Sequence, residues 1–120
     1  MASTPESAVK KLVKEVLDKY GAYYFSPVTG GYGKSGVPDI IACFKGHFIG
    51  IECKAGRGVP TALQYREMRR IQAAGGHAMV INENTIGVIS ELFEFINTGK
   101  WQPSRIDVIG QNGNEGLHYE

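Results

Sequence analysis

The chain has few of the residues and motifs that mark several common classes of protein. Its 120 residues include two cysteines, three histidines and one tryptophan. The cysteines and histidines do not have the spacing of a structural zinc site, and no GxxxxGK[ST] sequence marks a phosphate-binding P-loop. There is no signal peptide and no run of about 18 apolar residues. We therefore expect a cytoplasmic protein.

The chain also has no large excess of positive or negative charge, since the formal net charge is +1. A basic surface for nucleic acid would therefore have to come from local clustering of lysines and arginines. Cys43 and Cys53 both lie in apolar, strand-like segments, and we expect them to be small core residues in a reducing compartment. A chain of this length is expected to form one domain with a real core.

The stretch from Gly36 to Lys54 organises the rest of the chain. It reads as two apolar strands joined by a tight turn at Lys45-Gly46. With a two-residue turn, Asp39 faces Glu52 across the hairpin, and Lys54 projects from the same side of the sheet. A three-residue turn would instead place Asp39 opposite Cys53. In the first register two carboxylates and an ammonium converge, and a divalent metal would relieve the repulsion between the carboxylates.

The first helix is predicted to begin after Ser3-Thr4 and to end at Gly21. Its apolar stripe is formed by Val9, Leu12, Val13, Val16, Leu17 and Tyr20. Glu6 lies within the azimuth of this stripe, which predicts that it points toward the core side as a third active-site carboxylate. The alternative is a first-turn acid that only complements the helix dipole.

A second helix is predicted from Ala62, capped by Thr61. Gln64 stands where a capping box requires it, and it also lies near the acid end of the hairpin, so both roles are open. Arg66 and Arg70 share one helical face, which is either solvated or in contact with phosphates. The remaining candidates for contact with DNA lie in loops, and they are Tyr32, Lys34 and Arg57.

A buried strand from His77 to Ile81 is predicted to run parallel to its neighbour, and a third helix carries the apolar residues from Ile86 to Ile96. The predicted fold is an α/β domain, a small mixed sheet flanked by helices. We expect the domain to span residues 1–97 and residues 98–120 to form an extension that is partly disordered or forms an interface. The third helix and Trp101 belong either to the core or to that interface.

The order of these motifs resembles the PD-(D/E)xK nuclease superfamily, through Pro38-Asp39 and Glu52-Cys53-Lys54. The run from Gly36 to Ile41, followed by Ile51 to Lys54 and Leu63-Gln64, is similar to the VRR-NUC family, and Glu6 fits that family's helix acid. The resemblance covers residues 5–96. It implies a Mg²⁺-dependent endonuclease, with Mn²⁺ able to substitute, that acts on DNA in a bacterial or phage-infected cell.

The resemblance also implies a role for each matching residue. Asp39, Glu52 and the backbone carbonyl of Cys53 would bind the metal, and Glu6 would bind it directly or through water. Lys54 would orient or help deprotonate the attacking water. Gln64 would position the nucleophile or a carboxylate.

Small members of the family resemble Holliday-junction resolvases, so we expect a homodimer that cuts four-way junctions. The alternatives are a flap, nick or restriction-type endonuclease and a DNA-binding module without catalysis. A small α/β domain with coincidental acids is the remaining alternative.

Overall fold

The computed structural model describes residues 4–28 and 34–99. In chain order the elements are α1 (Pro5–Tyr20), β1 (Tyr23–Phe25), β2 (Ile40–Phe44), β3 (His47–Cys53), α2 (Ala62–Ala73), β4 (His77–Ile81) and α3 (Gly87–Thr98). This order confirms the predicted α/β domain. Tyr32 and residues 100–120, which include Trp101 and most of the predicted extension, lie outside the described residues. None of the described helices is long and apolar enough to cross a bilayer.

The four strands form one mixed sheet in the order β1-β2-β3-β4. Strand β2 is antiparallel to both of its neighbours, β1 and β3, and β4 runs parallel to β3. Helix α2 provides the crossover that a parallel pair requires. The predicted direction of β4 is therefore confirmed.

The β2–β3 hairpin has the two-residue turn that the sequence favours. Lys45 and Gly46 both have positive φ angles, of 50° and 86°, as a tight type I′ turn requires. The pairing runs from Phe44↔His47 to Ile40↔Ile51, which is the register predicted for a two-residue turn. Asp39 lies one residue before β2 begins, just beyond the last pair of this ladder.

Helix α1 begins and ends where the sequence predicts. The Thr4 side chain accepts a hydrogen bond from the Ser7 N–H at 3.0 Å, and Gly21 ends the helix in the left-handed conformation with φ 76°. The buried part of the stripe consists of Val9, Val13 and Leu17. Leu12 was wrongly placed in the buried stripe, since it is 41% exposed.

The core lies on the face of the sheet that carries Ile40, Ala42, Phe44, Ile49 and Ile51. The Phe44 ring stacks on Phe93 of α3 with centroids 4.3 Å apart, and Tyr20 of α1 packs edge-on against both rings.

The apolar residues of α3 are therefore core residues and do not supply a free interface. Val88, Ile89, Leu92 and Phe93 are all buried in the single chain. This result decides between the two alternatives that the sequence left open for this helix.

The opposite face of the sheet is covered only in part, by α2. A Cβ atom at Gly50 would come within 2.8 Å of Ile71 Cδ1 and 3.0 Å of Pro38 Cγ, so the absence of a side chain lets α2 and the Pro38 segment pack here. Phe48 is 48% exposed and Cys43 is exposed. The prediction of Cys43 as a core residue is wrong, because no described element covers this end of the face. Cys53 is buried as predicted.

Candidate active site

Three carboxylates from three separate elements converge at the open end of the hairpin. They belong to Glu6 in the first turn of α1, Asp39 before β2, and Glu52 near the end of β3. One carboxylate oxygen from each lies within 4.8 Å of the other two. The structure thus brings together the three acids that the sequence singled out.

Asp39 is held in place by its neighbour in the hairpin. Its Oδ2 accepts a hydrogen bond from the Cys53 backbone N–H at 2.9 Å. Its Oδ1 lies 3.8 Å from the ammonium of Lys10, one turn after Glu6 on α1. These two contacts orient the carboxylate toward the other two acids, although Asp39 lies just outside the strand ladder.

Glu52 is the buried member of the cluster, with a side chain only 1% exposed. Its Oε2 accepts a hydrogen bond from Gln64 Nε2 at 2.8 Å and lies 3.3 Å from Lys54 Nζ. Its Oε1 is buried and has no hydrogen-bond partner among the described residues. Burial raises the pKa of Glu52 to about 7, with a further contribution from the nearby Asp39 carboxylate, and Lys54 opposes the rise.

Gln64 takes part in the helix cap and also contacts the acid cluster. Its Oε1 accepts from the Thr61 N–H at 2.9 Å, and the Thr61 hydroxyl accepts from the Gln64 N–H at 3.2 Å, which completes the capping box. Its Nε2 is thereby directed to Glu52. The cap of α2 thus holds the amide that supports the buried carboxylate.

Lys54 lies between two of the acids. Its ammonium is 3.3 Å from Glu52 Oε2 and 3.8 Å from Glu6 Oε2, and its side chain is 17% exposed. A partly buried ammonium in this position lies beside the carboxylates and still reaches solvent.

The donor set fits a hard divalent cation. Three carboxylates supply oxygen ligands, which Mg²⁺ and Mn²⁺ prefer, and the buried Oε1 of Glu52 has an unused acceptor. The two ammonium groups within 4 Å, those of Lys10 and Lys54, cannot neutralise three ionised carboxylates. Cys53 stands between Glu52 and Lys54 in the chain, so its carbonyl is close to the same end of β3.

Three of the four cations predicted to contact DNA lie around one carboxylate of α2, and the fourth lies in a separate loop. Lys34, Arg66 and Arg70 all approach the carboxylate of Glu67, at 3.8, 3.1 and 3.3 Å. Arg57 is exposed in the loop after β3. Tyr32 lies outside the described residues. The ring nitrogens His47 Nδ1 and His77 Nε2 lie 3.1 Å apart at the start of their strands, away from the acids.

Two residues of this region were missed from the sequence. Lys10 is not among the candidates from the sequence, although its spacing of four residues from Glu6 indicates that it lies one turn away on the same face. Glu67 is not among the candidates from the sequence either. Its burial at 5% exposure has no signal in the helical pattern, since acids are rarely buried.

An early helix acid, an aspartate before one strand, E-x-K on the next and a glutamine on the following helix lie together on a mixed sheet. This fold is the one expected from the resemblance to the PD-(D/E)xK nuclease superfamily, and the residues that carry the resemblance lie together in it.

The comparisons with known proteins narrow this class. The protein named "Putative nuclease p44" of Acyrthosiphon pisum secondary endosymbiont phage 1 is 39% identical over 87 residues, covering 70% of this chain and 88% of that protein. A solved structure described as a VRR_NUC domain has the same fold, with a TM-score of 0.60 at 22% identity, and the match covers 82% of this chain and all of that one. No protein-family model matches the chain. The chain belongs to the same nuclease family as this phage protein, and it has the fold of a VRR_NUC domain.

Proposed function

We propose that the chain is a divalent-metal-dependent DNA endonuclease that hydrolyses phosphodiester bonds at the cluster of Glu6, Asp39 and Glu52. One observation carries the proposal: the three carboxylates converge within 4.8 Å, while a buried oxygen of Glu52 has no partner among the described residues. Leaving a buried polar atom without a partner costs about 1–3 kcal/mol. A cation bound between the acids would remove that cost and their mutual repulsion.

In this proposal Asp39, Glu52 and the carbonyl of Cys53 bind Mg²⁺, or Mn²⁺ in its place, and Glu6 binds it directly or through water. The bound ion supplies neutralising charge at the phosphodiester and lowers the pKa of water. Gln64 keeps the Glu52 carboxylate oriented through its hydrogen bond to Oε2.

The ammonium of Lys54 orients the attacking water and stabilises the charge that develops on the phosphate. The oxygen of water forms a bond to phosphorus, and the bond to the 3′ oxygen breaks. The products carry a 5′-phosphate and a 3′-hydroxyl.

Cleavage and metal binding of site variants test the catalytic proposal. Glu52→Gln and Asp39→Asn should lose at least about a hundredfold in cleavage rate and should lose binding of Mg²⁺ or Mn²⁺ in calorimetry. Glu15→Gln, at an exposed position on α1, removes the same charge and should leave both unchanged. Undiminished cleavage by Glu52→Gln would refute the site, and binding of DNA with no cleavage by the unmutated protein would favour a non-catalytic module.

We further propose that the substrate is a branched DNA, a four-way junction resolved by a homodimer. A junction has two-fold symmetry and needs two cuts, and the described residues of one chain hold a single acid cluster of this geometry. Two chains related by a two-fold axis would supply the second centre. A flap, nick or restriction-type endonuclease is the second candidate, because the same centre serves any phosphodiester.

Labelled substrates and a mass measurement separate these candidates. The proposal predicts that a four-way junction is cut faster than a flap, a nicked duplex or a plain duplex, and that the protein has the mass of a dimer in solution. Fast cleavage of flaps with intact junctions would overturn the junction proposal.

We propose residues 1–97 as the nuclease domain and residues 98–120 as an extension that forms the interface. A chain ending at Gly99 should then be monomeric and should still bind Mg²⁺. A truncated chain that is still a dimer would place the interface elsewhere.

A further inference from the structure

Glu67 is a buried acid of α2 that the catalytic proposal does not use. Its side chain is 7% exposed, and three cations surround it. Oε2 accepts from Arg66 Nε at 3.2 Å and from Arg70 Nη1 at 3.3 Å, and Oε1 lies 3.8 Å from Lys34 Nζ. One carboxylate thus holds cations from α2 and from the loop that precedes Asp39.

The charges around Glu67 do not cancel. Three cations around one carboxylate leave a local excess of two positive charges. The side chains of Lys34, Arg66 and Arg70 are 54%, 52% and 62% exposed. Each guanidinium has five N–H donors, so donors beyond those used on Glu67 are available to an anion from solvent.

This group of cations shares its support with the acid cluster. Glu67 follows Gln64 by three residues on α2, about 4.5 Å along the helix axis, and Gln64 contacts Glu52. The loop that carries Lys34 continues through Gly36 to Asp39 and passes close to α2, since a Cβ at Gly36 would lie 2.5 Å from the Leu63 carbonyl oxygen. A DNA backbone bound at the acid cluster would therefore have cations available further along the same helix.

We propose that Glu67 is a positioning residue that gathers Lys34, Arg66 and Arg70 into a clamp for the DNA backbone beside the scissile phosphodiester. The inference rests on the proposed nuclease function and deepens it. Glu67 itself does not touch DNA. It fixes three long side chains whose freedom would otherwise be lost on binding, a loss equivalent to about two- to tenfold in affinity for each.

Glu67→Gln distinguishes this role from a purely electrostatic one, because the two roles predict opposite changes in the affinity for DNA. The substitution raises the net charge from +1 to +2, so a purely electrostatic role predicts tighter binding of DNA. The positioning role predicts weaker binding, by about fivefold for the loss of one fixed side chain or more. Glu15→Gln adds the same charge at an exposed site and is the matched control.

The salt dependence of binding supplies a second readout that a merely structural role would not move. Each phosphate contact contributes about −0.9 to the slope of log K against log salt concentration. We expect Glu67→Gln to reduce the magnitude of the slope by about one to two contacts. In cleavage assays KM should rise while kcat stays near that of the unmutated protein, and Glu67→Asp, which keeps the charge, should restore part of the loss.

The experiment measures fluorescence anisotropy of a labelled four-way junction and a labelled duplex in EDTA between 50 and 200 mM salt, with thermal unfolding of each variant as the folding control. If Glu67→Gln does not fold, Glu67→Asp is tested in its place. Its slope of log K against log salt concentration should then be smaller in magnitude than that of the unmutated protein. Equal or tighter binding with an unchanged slope overturns the clamp, and so does a loss of stability without a loss of affinity. If the unmutated protein binds no DNA, the proposed function and the clamp both fail. If it cleaves DNA but substitution of Glu67 changes neither the affinity nor the slope, only the clamp fails.

Discussion

Replacing Glu52 by glutamine should change how the stability of the metal-free protein depends on pH. The carboxylate is 1% exposed, and its Oε1 has no partner among the described residues. Burial and the Asp39 carboxylate raise the pKa of Glu52 from 4.5 to about 7. The folded protein therefore holds this proton over a range in which the unfolded chain has released it.

The sign and the size follow from linkage. Between pH 4.5 and about 7 the folded state binds more protons than the unfolded state, so the free energy of unfolding falls as pH rises. At 1.36 kcal/mol for each pKa unit, the whole fall is on the order of 3 kcal/mol. Glu52→Gln has no such proton, so the unmutated protein should lose stability relative to the variant across this window.

Urea unfolding in EDTA at several pH values from 4.5 to 8 measures this effect as the difference in the free energy of unfolding between the unmutated protein and Glu52→Gln. The difference is needed because His77 acts in the opposite direction. Burial and the neighbouring His47 lower its pKa, so it adds stability as pH rises. That contribution is common to both proteins and cancels, and Glu15→Gln controls for the loss of a surface charge.

The reasoning is refuted if the free energies of unfolding of the unmutated protein and of Glu52→Gln differ by a constant amount from pH 4.5 to 8. A constant difference would mean that Glu52 titrates equally in the folded and unfolded states. A second arm adds Mg²⁺ at pH 8, where we expect stabilisation of the unmutated protein and none of the variant, because a cation that binds only the folded state raises its stability.

Three further substitutions have expected outcomes that follow from single contacts. Gly36→Ala should lower the free energy of unfolding by at least about 1–2 kcal/mol, because Gly36 has φ 82° and a Cβ would lie 2.5 Å from the Leu63 carbonyl oxygen; urea unfolding measures this, and a neutral result would contradict the close packing. Thr61→Ala and Gln64→Ala should each lower the free energy of unfolding by about 1 kcal/mol, because each breaks the capping box. Only Gln64→Ala should also slow cleavage. Equal cleavage rates for the two variants would show that Gln64 does not belong to the site. Lys10→Ala should tighten Mg²⁺ binding up to about fivefold in calorimetry, because a cation 3.8 Å from Asp39 competes with the metal; weaker binding would instead make Lys10 a support of the site.

The hairpin could be predicted from the sequence because short-range rules determine it. Lys45-Gly46 selects a two-residue turn, the turn sets the register, and the register fixes which side of the sheet carries Asp39 and Glu52. The placement of Glu6 followed in the same way from the azimuth of a helix whose ends are strongly marked. These inferences needed only local geometry and one hydrophobic pattern.

The features that could not be predicted depend on how the elements pack against one another. The exposure of Cys43 depends on how far α2 extends across the sheet, and the burial of the α3 residues depends on contacts such as Phe44 with Phe93. An apolar pattern shows that a face is buried but not what buries it. The choice between core and interface for α3 therefore required the tertiary structure.

Glu52 and Glu67 show why a buried acid must be interpreted through its partners. Both are almost inaccessible, and a buried charge is costly unless it is paired. Glu67 lies among three cations that exceed its charge, so the group as a whole attracts anions. Glu52 lies among two other carboxylates, has one cation within 4 Å and keeps one oxygen without a partner among the described residues, so it attracts a cation. In the proposed mechanism the two acids would therefore meet complementary needs of a nuclease, since Glu52 would help to hold the metal and Glu67 would hold the cations that contact the phosphates.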